Sequence, residues 1–335
     1  MEIRKVILLI NIGSPKSFKV KPVRKYLREF LMDSRVIQIP WLFRFLLVNG
    51  IITTFRAPKS AKKYKEIWTD KGSPLIVHSN NLKNKLQLKL SNKADVYTAM
   101  RYGHPSISEV LDNIKNANYN EIIVCPLYPH NAASTTSSSI AKVFSKVNKW
   151  ENIPNLKIIN EFWNNPLYFD AMVQQIKKYF TESINHVVIS FHGLPLGQVY
   201  KAHKGKSCKE LNCTEAIQSA NRYCYQAVCY ETAKILTTKL KLNETEYSIS
   251  FQSRLTNNWL SPFTDQVLET LAREGKRNVL VICPSFVADC LETIHEIEIE
   301  YAKQFKDNGG ETLTLVPALN SEDFWVENLA KILSE

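Results

Sequence analysis

Eight short runs rich in valine and isoleucine, at 6–12, 96–100, 121–127, 156–161, 187–191, 247–251, 278–283 and 312–316, punctuate the chain, and the stretches between them are longer and amphipathic. Apolar runs of that length, bounded by glycine and proline, read as buried parallel strands joined by helical crossovers. Such alternation confines the chain to the α/β class. The runs also fall into two sets of four whose endings correspond. The first run of each set leads into Gly-x-Pro (Gly13-Ser14-Pro15 and Gly193-Leu194-Pro195), the third into Cys-Pro (Cys125-Pro126 and Cys283-Pro284), and the second is followed closely by Arg101 or Arg254. Two similar Rossmann-like domains, each a doubly wound, parallel four-stranded sheet, are therefore expected, with both sets of strand ends along one cleft.

The expected boundaries are 1–165 for the first domain and 166–320 for the second, with a C-terminal helix over 321–335 packing back on the first. A total of 335 residues with 44% apolar and 22% charged content suits two domains of ordinary size. The basic run-in at Arg4 and Lys5 followed by apolar residues imitates a secretory signal, yet no small-residue cleavage site follows, and the run reads as the first strand. A reducing, cytoplasmic setting is the matching expectation. The net charge of +11 is spread over scattered Lys and Arg without a nucleic-acid signature, which favours an acidic small molecule or an anionic membrane surface as partner.

The first domain is stretched by an excursion over 33–78 that holds Trp41-Leu42-Phe43-Arg44-Phe45-Leu46-Leu47-Val48 and Ile51-Ile52-Thr53-Thr54-Phe55. Arg44, Asn49 and Gly50 interrupt it too often for a bilayer span. Two readings stay open: a buried helix, or an exposed apolar lip that touches membrane or a large flat ligand.

The second domain brings the chemistry. Val187-Val188-Ile189 runs into His192, which places an imidazole at a strand's carboxyl end, where α/β sheets hold ligands. After the seventh run, Glu292, Glu296 and Glu300 recur every fourth residue and share one helix face. Like charges at that spacing repel, so a path for a divalent cation explains the row better than a solvated face. Within the insertion 201–230, Cys208-x4-Cys213-x10-Cys224-x4-Cys229 crowds four thiols into a polar segment, which suggests an iron–sulfur or zinc site. Cys125, Cys283 and Cys290 read as packed thiols. The first strand lacks the G-x-G-x-x-G turn, so no nucleotide is expected.

Phe191-His192-Gly193-Leu194-Pro195, Phe251-Gln252-Ser253-Arg254 with Trp259-Leu260 and Pro262, and Cys283-Pro284-x-Phe286-x-x-Asp289-Cys290-Leu291-Glu292-Thr293 together resemble the ferrochelatases. Asn11-Ile12-Gly13-Ser14-Pro15, Gly72-Ser73-Pro74-Leu75, Met100-Arg101-Tyr102-Gly103-His104-Pro105 and Pro126-Leu127-Tyr128-Pro129 extend the resemblance over essentially the whole chain.

The resemblance implies a class II chelatase architecture and insertion of Fe²⁺, as substrate, into protoporphyrin IX at the last step of haem synthesis. Coproporphyrin III as substrate, another tetrapyrrole metal chelatase and a non-catalytic porphyrin carrier are the alternatives. It implies His192 and Glu292 as facing catalytic groups, with Glu296 and Glu300 joining them in metal handling. Porphyrin contacts are implied at Ile12, Arg56, Arg101, Tyr102 and Phe286. Where many relatives carry a second histidine this chain has Cys290, and His295 on a neighbouring turn is not its substitute. Some bacterial relatives place a [2Fe–2S] cluster in an internal segment, which would make Cys208, Cys213, Cys224 and Cys229 its ligands. A cytoplasmic protein attached peripherally to the inner membrane face, as monomer or homodimer, completes the expectation.

Overall fold

The computed structural model describes residues 4–334. The chain divides into two compact units, one of Met1–Glu161 with Asn320–Glu335 and one of Phe162–Leu319.

In the first unit, strands β1 (Lys5–Asn11), β2 (Asp95–Met100), β3 (Glu121–Pro126) and β4 (Asn155–Ile158) form one parallel sheet in the order β2-β1-β3-β4. The central strand is apolar on both faces because helices cover both. Val6, Leu8 and Ile10 point one way, against Ala99, Leu111, Val124 and Val143. Burying each such side chain contributes about 1.5–3 kcal/mol. The helix Ile107–Asn116 starts at a capping box, with the Ser106 hydroxyl accepting the Glu109 N–H and the Glu109 carboxylate accepting the Ser106 N–H. It turns Val110, Leu111 and Ile114 to the sheet. The helix Asp323–Ser334 also belongs to this unit. Trp325 is fully buried in it, and Lys85, from the helix Pro74–Lys89, donates to Asp323 and to the Ser321 carbonyl.

The second unit repeats the plan. Strands β5 (His186–His192), β6 (Tyr247–Gln252), β7 (Asn278–Ile282) and β8 (Thr312–Leu315) are parallel in the order β6-β5-β7-β8. All eight strands expected from the sequence are present, most with bounds displaced by a residue or two. Val188, Val279 and Val281 form the core with Leu268, Ile297 and Phe305.

The paired Gly-x-Pro endings have one physical cause. Each glycine leaves the central strand where the end of the second strand presses against it. A Cβ on Gly13, whose φ is +102°, would fall 1.8 Å from the Tyr102 carbonyl oxygen, and one on Gly193 would fall 2.8 Å from that of Gln252.

The excursion of the first unit folds as a helix Trp41–Leu46, a π-helix Leu47–Ile52 and a helix Thr53–Ile67. Of the two readings, the structure takes the exposed one. Phe43 is 64% and Phe55 70% exposed, and Trp41, Leu42, Leu46 and Ile51 are exposed with them. Within the helix Trp41–Leu46 Arg44 is the buried member, and its guanidinium fastens the carbonyls of Ile37 and Ile39 at 3.1 and 2.8 Å. Among the described residues no helix is long and apolar enough to cross a membrane.

Candidate active site

His192 ends β5, directly beside Gln252 at the end of β6. It is half-buried, and its Nδ1 donates to the Gly193 carbonyl at 2.6 Å, so in the neutral ring Nε2 carries the lone pair. Its own carbonyl accepts the Tyr225 hydroxyl at 2.9 Å. The Phe286 ring, half-buried in the loop after β7, lies 6.2 Å from the imidazole at 57°.

Gln252 ties this histidine to the acidic segment. Fully buried, it accepts the Ser190 hydroxyl at 2.9 Å and donates to the main-chain carbonyl of Glu292 at 2.8 Å. That helix, Leu291–Tyr301, is a π-helix. The sequence spacing led to an ordinary helix, but a turn closed by five-residue hydrogen bonds still keeps a four-residue step close to one face. The carboxylates therefore form a strip, half-buried at Glu292 and Glu296 and exposed at Glu300. The first turn is anchored by Thr293, whose hydroxyl accepts the Cys290 N–H at 3.0 Å and donates to buried Asp289 at 2.9 Å.

Glu296 is held from two sides. Ser253 donates its N–H at 2.7 Å and its hydroxyl at 2.5 Å, and Tyr301 donates at 2.8 Å. Ser253 has φ +64°, a left-handed conformation unusual for serine that directs both donors at one carboxylate. Burial pushes the Glu296 carboxyl up. The hydrogen bonds from Ser253 and Tyr301 oppose that, the Glu292 charge reinforces it, the His192 charge opposes it, and the net displacement is upward. Carboxylates perturbed by burial and by a specific charged neighbour cluster at functional sites.

In the first unit, the implied porphyrin contacts separate. Arg56 is exposed and Ile12 half-buried. Arg101 is paired with Asp33 and donates to the Ser138 hydroxyl at 2.6 Å. The Tyr102 ring is wholly buried, and its hydroxyl donates to Asp33 at 2.9 Å. Burial pushes the Asp33 carboxyl up, but hydrogen bonds from Ser138 and from the Arg35 N–H, with the Arg101 charge, outweigh it and hold the group below the usual range.

The cysteine segment gathers three of its four thiols with a histidine. His203, Cys208, Cys213 and Cys224 turn their donor atoms within 4.8 Å of one another, and Cys229 is not among them. Cys229 is buried on the helix Tyr225–Leu240 and faces the Tyr225 hydroxyl. His203 was legible in principle, since it precedes Cys208 by the same five-residue step that separates Cys208 from Cys213. Gln252, Ser253, Tyr301 and Tyr225 had no sequence signal beyond their presence in or beside the motifs.

The two repeated sheets and the site on the second define the chelatase class of fold. A solved structure of the sirohydrochlorin chelatase SirB from Bacillus subtilis subspecies spizizenii, in complex with cobalt, superposes with a TM-score of 0.53 at 11% identity, covering 99% of this chain and 95% of that one. The ferrochelatase family model matches residues 4–335. A ferrochelatase of Legionella pneumophila (strain Lens) is 40% identical over 333 residues, 99% of each chain, and one of Coxiella burnetii (strain Dugway 5J108-111) is 39% identical over 329 residues, 97% of this chain and 92% of that one. The chain belongs to the ferrochelatase family.

Proposed function

We propose that this chain is the haem-forming ferrochelatase of its source, inserting Fe²⁺ into protoporphyrin IX with His192 and Glu292 as the groups that manage the two displaced protons. The observation that carries this is the His192 tautomer beside the carboxylate strip: Nδ1 is committed to the Gly193 carbonyl, which leaves Nε2 as the proton acceptor. A free-base porphyrin carries two N–H protons inside a planar ring, so metal entry needs bases and a bent ring. Nε2 takes one proton, and Glu292 accepts the second or balances the charge while the ring nitrogens bind the metal. Interactions that favour the bent ring over the flat one accelerate the step.

Glu296 and Glu300 are proposed to hand ferrous iron along the strip, since hard carboxylate oxygens bind a divalent ion without trapping it. Phe286 is proposed to pack on the macrocycle beside His192. In the first unit Ile12, Arg56 and Arg101 are the proposed porphyrin contacts. The exposed lip, basic overall charge and apolar substrate support a peripheral place on the cytoplasmic face of the membrane.

An anaerobic assay tests the reading by following loss of free-base fluorescence when Fe²⁺ is added to protoporphyrin IX or, separately, coproporphyrin III. Saturable turnover lost by more than 100-fold in His192→Ala and Glu292→Gln is expected. Near-normal turnover in those variants would remove both residues from the mechanism. Preference for coproporphyrin III would overturn the substrate, and binding without insertion would favour a carrier.

A further inference from the structure

We infer that His203, Cys208, Cys213 and Cys224 form a tetrahedral site for a single zinc ion, and that the segment is not built for a two-iron cluster. Residues 202–224 contain no helix or strand. The buried residues of this stretch are His203, Cys208, Cys213, Cys224 and Asn221, so it has no apolar core of its own. A long segment without secondary structure or core requires another source of order. The donors supply it, and the thiols are free rather than joined in disulfides.

The spacing fits one metal. Zn–S bonds of about 2.3 Å and Zn–N bonds of about 2.0 Å at tetrahedral angles set donor separations of roughly 3.5–3.8 Å. Cys208 Sγ lies 3.7 Å from Cys224 Sγ, and Cys213 Sγ lies 3.7 Å from His203 Nε2. A two-iron cluster instead needs two pairs of donors held apart by both irons and their bridging sulfides. Four donors each within 4.8 Å of every other leave no room for that arrangement.

The surroundings are those of a metal site. His203 Nδ1 donates to the Lys206 carbonyl at 3.1 Å, which fixes the tautomer with Nε2 toward the thiols. Cys224 Sγ accepts the Ala227 N–H at 3.4 Å at the start of its helix, as suits a thiolate. Asn221 donates to the carbonyls of Leu211 and Ala216 and accepts the Gln218 N–H, closing the loop around the donors. Three thiolates and one imidazole favour zinc, and in the general affinity order zinc outranks the ferrous ion this family handles as substrate.

The test is metal analysis of the purified full chain with a sulfide assay, followed by zinc removal and titration with Co²⁺. One zinc per chain, no acid-labile sulfide and the charge-transfer and ligand-field bands of tetrahedral thiolate-bound cobalt are expected. Cys229→Ser should keep the metal, whereas His203→Ala and Cys213→Ser should weaken zinc at least tenfold against a competing chelator. The cobalt spectrum of the unmutated chain remains decisive if those variants fail to fold. Two irons with sulfide, a Cys208–Cys224 disulfide, no cobalt spectrum, or metal lost with Cys229→Ser but kept with His203→Ala would each overturn the assignment.

Discussion

The Tyr225 hydroxyl donates to the main-chain carbonyl of His192 at 2.9 Å and lies 3.2 Å from the Ser285 hydroxyl. Tyr225 opens the helix that Cys224 caps, so the candidate base and the cysteine segment are mechanically joined by one residue. Tyr225→Phe removes a buried bond of about 0.5–1.5 kcal/mol. The expected result is a several-fold lower kcat with KM for porphyrin little changed, and an unaltered kcat would show that the bond does not position His192.

Ser253 acts on Glu296 through its hydroxyl as well as its N–H. These bonds favour the ionised carboxylate, so Ser253→Ala should push an already raised group further up. The acid limb of kcat should move to higher pH, with the alkaline limb unmoved. A profile that only scales in height would assign Ser253 a purely structural role.

Gly193 and Gly197 offer a matched pair. An added Cβ on Gly193 meets the Gln252 carbonyl at 2.8 Å, whereas Gly197 has nothing within 4 Å. Gly193→Ala should cost about 1–3 kcal/mol in denaturant unfolding. Gly197→Ala, in the helix Leu196–Lys201, should be neutral or stabilise by up to about 1 kcal/mol.

Arg101 and Asp33 form an ion pair with side chains 14% and 8% exposed. Asp33→Ala would leave the guanidinium half-buried without its counter-charge, at about 3–5 kcal/mol. Combining Asp33→Leu with Arg101→Met should recover much of that loss. Thermal unfolding of the three variants checks the order.

His130 and His186 are buried, and burial pulls their imidazoles down to about 3 and about 4, with the Lys276 charge helping at His186. Unfolded, each binds a proton near pH 6.5; folded, each stays neutral. The neutral fold is fully favoured above that pH, and stability falls as pH drops from about 6.5 toward 4. The slope should approach 1.4 kcal/mol per pH unit for each histidine. Urea midpoints measured across this window should decline, and less steeply in His186→Asn.

The sheets were legible because buried parallel strands must be apolar on both faces, and short runs such as Val187-Val188-Ile189 between amphipathic stretches suit that place. His192 stood out as the polar residue closing such a run. The π-helix was not legible, because carboxylates four apart look alike on either kind of turn. The burial of the Tyr102 ring was not legible, because a motif reports its neighbours and not its exposure. His203 leaves no mark in the thiol spacing, which sets Cys208, Cys213, Cys224 and Cys229 on an equal footing.

Both specialised segments hang from the same place in their repeats. The lip lies between β1 and β2, and the His-Cys loop between β5 and β6, so each departs from the end of a central strand and returns to the strand beside it. That crossover is where a doubled fold can acquire accessory parts without disturbing its ladders. Grafting either segment between relatives should change what the enzyme meets at its surface while both sheets keep their pairing.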